Sequence, residues 1–251
     1  MPDARNLVGH GTTSPTPSDG LNIQAGTLDE AAAYLRGSIR ADGTYEGIPE
    51  GEIAGHQWRL LELWTASRGL ILPPDFGPER EGGREHDVRF DEPSATWLKY
   101  TKPNCAGYAI DVFDNTVMML PATPLQYLDR WRAHNSIFSD SVELAGVWKT
   151  SQYSASLVVR QYGVSGVAPD WDVIEATFVN GLGLYKLDVP DHLGGYTSRA
   201  YFRGRIGVFD VRPMNCVQTE SGVVVPIDVI PQFFNRSEAS ILHARTIKPN
   251  P

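Results

Sequence analysis

The feature that most constrains the fold is the stretch "FDVRPMNCVQTESGVVVPIDV" at residues 209–229, in which two short apolar runs flank Ser221 and Gly222. Short apolar runs bounded by turn residues are typical of β-strands, and a central Ser-Gly pair predicts a hairpin. If Ser221 and Gly222 are the two central residues of the turn, Glu220 pairs with Val223. This part of the chain is therefore predicted to be a β-hairpin.

The predicted register brings two polar side chains together. It places Asn215 directly opposite Asp228, and directly opposed side chains have Cβ atoms about 4.5–5.5 Å apart. One hard cation can touch both side-chain oxygens at that separation. A longer loop would change this register, and Pro226 requires an edge position or a bulge because it has no N–H to donate.

Asp210 adds a third polar group, five residues before Asn215. Taken singly, Asn215 fits a solvated turn cap and Asp228 fits a solvated strand end. Taken together, a carboxylate, an amide and a second carboxylate across a hairpin form the layout that Mg²⁺ needs, with a base that orients a hydroxyl nucleophile. The combination favours a site for phosphoryl transfer.

Composition excludes several classes of protein. A chain of 251 residues with 41% hydrophobic residues can bury a core, and a net charge of −8 argues against a nucleic-acid partner. No apolar run approaches the about 20 residues that span a bilayer, so no membrane partner is expected. Cys105 and Cys216 are too few for a disulfide framework, and the start lacks a secretory signal, which favours the cytoplasm.

Patterning along the chain predicts four segments. Residues 1–26 are rich in Gly, Pro, Ser and Thr and are expected to be a flexible tail. Residues 27–69 are expected to form an N-terminal helical segment, whose first helix begins with a capping box of Thr27 and Glu30. Residues 70–235 are expected to form the main domain, and residues 236–251 a C-terminal tail.

The main domain alternates strand pairs with single helices. A hairpin is predicted up to "TWLKYT", and a helix follows with Thr123 as its cap and Pro124 as its first residue. "VELAGVWKT" and "SASLVVRQYGV" predict a second strand pair, and a further helix is predicted from Pro169 onward. Strand pairs separated by single helices indicate an α+β fold.

The motif "DVRPMN" matches the Asp-x-Lys-Pro-x-Asn catalytic loop of protein kinases, with Arg212 at the lysine position, and "PIDV" fills the place of the Asp-Phe-Gly segment. In order and spacing, "EGGREHDVRFDE", "LKYTKP", "TPLQYLDRWRAHNSIFSDSVELAGV" and "VVVPIDV" match a narrower family. Over roughly residues 55–235 the chain resembles the kinase-like domain of bacterial polyvalent proteins, which are encoded on phages, plasmids and other mobile elements.

The resemblance implies a protein-kinase-like bilobal fold, with a truncated C-terminal lobe and an N-terminal helical extension, that binds ATP and Mg²⁺. Gly82 and Gly83 would form the turn that covers the phosphates, although a Gly-Gly pair also suits an ordinary loop. Lys99 would hold the α- and β-phosphates, with Lys102 as a rival.

The remaining roles also follow from the resemblance. Asp210 would be the base or orienter of the attacking hydroxyl, and Arg212 would neutralise charge on the transferred phosphoryl group. Asn215 and Asp228 would hold Mg²⁺. Backbone at the hinge would bind adenine, and the hinge is expected at three consecutive positions, Gln161, Tyr162 and Gly163.

The chain departs from the protein-kinase pattern at several positions. Val208 and Phe209 replace the usual His-Arg before the catalytic Asp, and Val229 replaces the Phe of the Asp-Phe-Gly segment. The helix from residue 124 to 135 has no Glu to pair with the strand lysine, so Gln126 and Asp129 are the substitutes.

Three functions remain open at this point. The first is an ATP- and Mg²⁺-dependent phosphotransferase whose hydroxyl acceptor is a protein side chain or a small molecule. The second is a catalytically inactive nucleotide-binding or interaction module. The third is a structural or toxin-associated domain that binds no nucleotide.

Overall fold

A computed structural model describes residues 26–40, 45, 47–151, 154–190 and 193–247. The predicted tail over residues 1–26 lies outside the described residues except for its last position. The chain divides into two compact units. We call residues 14–109 and 121–163 unit A, and residues 110–120 and 164–251 unit B, in each case meaning their described residues.

Unit A contains three α-helices, α1 (Thr27–Arg36), α2 (Ile53–Ser67) and α3 (Pro124–Phe138). The capping box predicted for α1 does not form: Gly26 is the N-cap, and the Thr27 hydroxyl donates to the backbone oxygen of Leu144 at 3.0 Å. Helix α3 begins as predicted, since Thr123 caps it in a reciprocal capping box with Gln126.

The sheet of unit A has five strands in the order β1-β6-β7-β3-β2. Only the β1–β6 pairing is parallel, and the two predicted hairpins are both present. The strands are β1 (Ile71–Leu72), β2 (His86–Asp91), β3 (Thr96–Thr101), β6 (Glu143–Ser151) and β7 (Ser154–Tyr162).

The three helices pack on one face of this sheet. Alternate residues of β7 point to opposite faces, so Leu157 and Val159 contact the helices whereas Val158 belongs to a second cluster with Leu98. Trp131 of α3 is a fully buried member of the first cluster. The N-terminal helices therefore share one core with the strands that follow, and residues 27–69 do not form a separate segment.

Unit B is built on a five-stranded antiparallel sheet in the order β13-β10-β9-β8-β14. Two separate hairpins accompany it. The strands of the sheet are β8 (Tyr185–Leu187), β9 (Arg199–Arg203), β10 (Ile206–Val211), β13 (Ile230–Phe233) and β14 (Thr246–Ile247), and those of the hairpins are β4 (Tyr108–Phe113), β5 (Thr116–Pro121), β11 (Cys216–Gln218) and β12 (Val224–Pro226).

Unit B also contains two helices. Helix α4 (Trp171–Glu175) continues into a π-helical turn over Ala176–Gly181, in the region where a helix is predicted from the sequence. Helix α5 (Arg236–Ala244) lies within the segment predicted to be a C-terminal tail. That prediction is corrected because Asn235 and Glu238 form a capping box and Leu242 is fully buried, which fixes α5 in the unit.

The sheets and helices together confirm the predicted α+β class. Among the residues that the structure describes, no helix combines the length and the apolar character that crossing a membrane requires.

Candidate functional site

The candidate site in unit B begins at Asp210, which lies on a β-bulge. The register between β9 and β10 shifts between Val208 and Val211, and Asp210 has a φ of 51°. A positive φ at a residue with a side chain costs about 1–2 kcal/mol, and bulges redirect side chains that flat strands would bury in the ladder. The bulge therefore sets where the Asp210 carboxylate points.

Asn215 ties this bulge to the next hairpin. It ends a 3₁₀ turn over Pro213–Asn215, and its side chain is almost fully buried. The Asn215 amide nitrogen donates to the backbone oxygen of Asp210 at 2.7 Å and to its carboxylate Oδ2 at 2.8 Å. These two acceptors identify which end of the amide is nitrogen, so Oδ1 is the end that faces away from Asp210.

The hairpin register differs by one residue from the predicted one. Cys216 pairs with Pro226, and Gln218 pairs with Val224. The loop has three residues, ending at Gly222 with a φ of 84°, and the Thr219 N–H donates to the Val223 backbone oxygen at 2.9 Å. A turn that ends in a left-handed glycine is the usual three-residue hairpin loop, whereas the prediction assumed two residues.

Asn215 consequently does not lie directly opposite Asp228. The Asn215 backbone oxygen instead accepts hydrogen bonds from the N–H groups of Ile227 at 2.8 Å and Asp228 at 3.3 Å. Asp228 is half-buried and is the second residue after β12, which ends at Pro226. The predicted cross-strand pair is wrong in register, but the backbone still connects Asn215 to Asp228.

Arg212 lies beside Asp210, as the motif requires. Its Nε is 3.6 Å from Asp210 Oδ1, and its guanidinium carbon is 4.5 Å from the ring centroid of Tyr196. Sequence reasoning missed Tyr196, because the ring comes from the segment before β9 and the guanidinium from the loop after β10. No spacing rule joins two such loops, and only the pairing of β9 with β10 brings them together.

Cys216 is next to Asn215 in sequence, but its thiol is unreactive. The pKa of its thiol is raised to about 12, mainly by burial and also by the nearby Asp210 carboxylate. A thiol with that pKa is protonated at neutral pH and is a poor nucleophile.

In unit A, Lys99 occupies the middle of β3 and is buried. Its ammonium nitrogen lies 5.1 Å from the ring centroid of Trp131 of α3. The rival Lys102 lies just after β3 and pairs with Asp87 on the neighbouring strand. Of the two lysines, Lys99 is therefore the one that points into the sheet-and-helix core of unit A.

Both substitutes for the missing glutamate on α3 have other partners. Gln126 completes the capping box with Thr123, and Asp129 pairs with Arg36 and Arg132 on the surface. The helix instead contributes Arg130, which is buried and pairs with Glu85. Helix α3 is thus linked to the segment before β2 by an ion pair in which the helix supplies the cation.

Gly82 and Gly83 occupy different environments in the segment before β2. A Cβ on Gly82 would lie 2.0 Å from the His86 backbone oxygen, so only glycine fits there. The Gly82 N–H donates to Asp87 Oδ1 at 3.0 Å, whereas the space around Gly83 is open. The turn is therefore packed at Gly82 and accessible at Gly83.

The predicted hinge falls at the end of β7. Gln161 is buried, and its amide nitrogen donates to Asp140 Oδ2 at 2.8 Å, while Tyr162 is exposed. The Gly163 N–H donates to the Ala95 backbone oxygen at 3.0 Å. Gly163 is also the last residue of unit A.

The predicted site residues thus fall into two groups. Lys99, the two glycines and the hinge residues belong to unit A, whereas Asp210, Arg212, Asn215 and Asp228 belong to unit B. Comparison of the chain with protein-family models, with curated proteins and with solved structures found no match.

Proposed function

We propose that the protein is an ATP- and Mg²⁺-dependent phosphotransferase of kinase-like fold that acts on a hydroxyl acceptor, either in a protein or in a small molecule. The observation that carries this proposal is the linkage of three residues in unit B. Asn215 binds the Asp210 carboxylate through its side chain and the Asp228 N–H through its backbone oxygen. A base and two oxygen ligands are thereby held on one short stretch of chain.

The donor set fits a hard cation. With its nitrogen committed to Asp210, Asn215 can offer only Oδ1, and Asp228 offers a carboxylate. Amide and carboxylate oxygens are ligands of Mg²⁺, which in phosphotransferases is held by one or two such groups together with substrate phosphates. When bound, Mg²⁺ would supply neutralisation of charge on the phosphate oxygens.

The residues themselves have separable roles in the proposal. Asp210 orients the acceptor hydroxyl and accepts its proton, while Asn215 fixes the orientation of the Asp210 carboxylate. In unit B, Arg212 provides positive charge for the transferred phosphoryl group. In unit A, Lys99 provides positive charge for nucleotide phosphates, backbone near Gln161, Tyr162 and Gly163 binds an adenine edge, and the open space at Gly83 accommodates phosphate oxygens.

Nucleotide binding is tested by thermal unfolding with ATP and MgCl₂. At ATP·Mg²⁺ ten times above its Kd, the stabilisation is about 1.4 kcal/mol, which raises Tm by about 3–6 °C. Asp228→Asn should reduce the Mg²⁺-dependent part of this shift, and Asp188→Asn, a change at an aspartate outside the site, should retain it. The proposal fails if ATP·Mg²⁺ well above millimolar leaves the wild-type Tm unchanged.

Catalysis is tested by ATP hydrolysis or transfer of labelled phosphate. Because Asp210 is the proposed base, Asp210→Asn should lower kcat by about 10²–10⁴-fold while ATP·Mg²⁺ still shifts Tm. Undiminished activity of Asp210→Asn would remove this residue from the mechanism.

A non-catalytic nucleotide-binding module is the second candidate. It is favoured by α3, which has no glutamate and whose Gln126 and Asp129 are engaged in capping and surface pairs. This candidate predicts that ATP·Mg²⁺ raises Tm while no phosphate transfer or hydrolysis is detectable in the wild type. The two measurements above therefore separate the candidates.

A further inference from the structure

The guanidinium of Arg212 is held on two sides within unit B. Its Nε lies 3.6 Å from Asp210 Oδ1, and its guanidinium carbon lies over the Tyr196 ring, 4.5 Å from the ring centroid. Arginine stacks on aromatic faces because its charge is delocalised over a weakly hydrated plane. An ion-pair contact and a ring contact therefore restrain the position of the guanidinium group.

The restraint leaves one edge of the guanidinium for a ligand. With Nε turned toward Asp210, the terminal nitrogens Nη1 and Nη2 form the other edge, and in the described parts of unit B neither has a hydrogen-bond partner. This edge presents two parallel N–H donors, the geometry that matches two oxygens of one phosphoryl group. A lysine has a single ammonium on a flexible stem and cannot be oriented in this way.

We propose that Tyr196 is a positioning residue that holds Arg212 for a two-pronged contact with the oxygens of a phosphoryl group. This role rests on the proposed function, and it accounts for arginine at the position where the kinase pattern has lysine. The Tyr196 ring that stacks on Arg212 lies outside the motif. We therefore connect the arginine at the lysine position with the presence of this ring.

The alternative is that Tyr196 only stabilises the fold. Tyr196 is 46% exposed, however, and the Arg212 side chain is 24% exposed, so the pair lies at the surface of the unit. Because the Tyr196 ring is so exposed, it contributes little buried area to the stability of the fold, and we expect Tyr196→Ala to fold. Tyr196→Phe retains the ring and serves as the matched control.

The first test needs neither ATP nor catalysis. Inorganic tripolyphosphate should protect Arg212 from modification by phenylglyoxal, measured by mass spectrometry of the peptide that contains it. Half-protection of Tyr196→Ala should require about two- to fivefold more tripolyphosphate than that of the wild type, the range expected for an exposed cation–π contact, and Tyr196→Phe should match the wild type. Equal half-protection of Tyr196→Ala and the wild type, or no protection of the wild type, overturns the proposal.

The second test is a double-mutant cycle on phosphate transfer with Arg212→Lys. Tyr196→Ala should lower kcat by about two- to fivefold in the wild-type background and leave it unchanged when residue 212 is lysine, with Tm unaffected. Additive losses would show that Tyr196 does not act through Arg212. If the wild type transfers no phosphate, the proposed function fails, and the tripolyphosphate measurement alone then decides the role of Tyr196.

Discussion

At the scale of single residues, the most informative position is Asp210. Its φ of 51° lies in the left-handed region, which glycine adopts without cost and which aspartate and asparagine tolerate better than most other residues. Strained conformations persist where the surroundings hold them, and here Asn215 donates to both the backbone and the side chain of Asp210. The strain is thus localised at the residue that we propose as the base.

Two substitutions separate the backbone strain from the lost side chain. Asp210→Gly and Asp210→Ala both remove the carboxylate, but only alanine keeps a Cβ at positive φ. We expect Asp210→Gly to be more stable than Asp210→Ala by about 1 kcal/mol in urea-induced unfolding, because glycine adopts this region without steric cost. An alanine variant as stable as the glycine variant would argue against strain at this position.

At the scale of elements, the β11–β12 hairpin decides how the site is assembled. The Thr219 hydroxyl accepts from the Val223 N–H at 3.1 Å and donates to the Val223 backbone oxygen at 3.1 Å, which closes the loop around residues 220–222. Changing a loop from two residues to three moves every pair on the strands by one position. The loop therefore determines that Asn215 contacts Asp228 through backbone and not as a directly opposed pair.

Gly222 is the residue of this loop that adopts the left-handed backbone conformation. Its φ is 84°, and no heavy atom beyond the two neighbouring residues lies within 4 Å of where a Cβ would be, so the cost of a side chain there is conformational. Gly222→Ala should lower the free energy of unfolding by about 1 kcal/mol, and Gly222→Asn should lower it less, since asparagine tolerates the left-handed region. Urea titration of both variants measures the difference, and equal losses would contradict the left-handed loop.

At the scale of the whole molecule, each unit has its own sheet, and the chain enters unit B twice, at residues 110–120 and again from residue 164. Buried titratable groups make the stability of unit B depend on pH. Burial raises the pKa of Cys216 from 9.0 to about 12, and that of Tyr201 from 10.0 to about 12. In both groups the folded state retains a proton that the unfolded state loses first.

The sign of this dependence follows from linkage. The unperturbed pKa of the Cys216 thiol is 9.0, and its pKa in the folded state is about 12. Its contribution to the free energy of unfolding is therefore fully present below pH 9.0 and is lost as the pH rises toward about 12. Cysteine titrates before tyrosine between pH 9 and 10, and over this interval the free energy of unfolding should fall by about 1 kcal/mol. Cys216→Ala should show a shallower fall of unfolding free energy over this interval.

Cys105 provides the control for this measurement, because it is exposed. Cys105→Ala should keep the wild-type slope of unfolding free energy against pH. If Cys216→Ala and Cys105→Ala give the same slope, the buried thiol does not contribute to the pH dependence.

The sequence by itself determined the features that depend on local patterning. Alternating apolar runs predicted the hairpins of unit A, strand pairs separated by helices predicted the α+β class, and Thr123 with Pro124 predicted the start of α3. The motif spacing also brought Asp210 and Asn215 together, since only four residues separate them along the chain.

The tertiary structure decided what depends on contacts between distant segments. Thr27 turned to the Leu144 backbone instead of capping α1, and α5 formed where a tail was expected, because burial against the rest of a unit outweighs local composition. The hairpin register and the stacking of Tyr196 on Arg212 also lay beyond the sequence. A one-residue difference in loop length costs little locally but moves every cross-strand neighbour, and a ring contact between two loops exists only once their strands have paired.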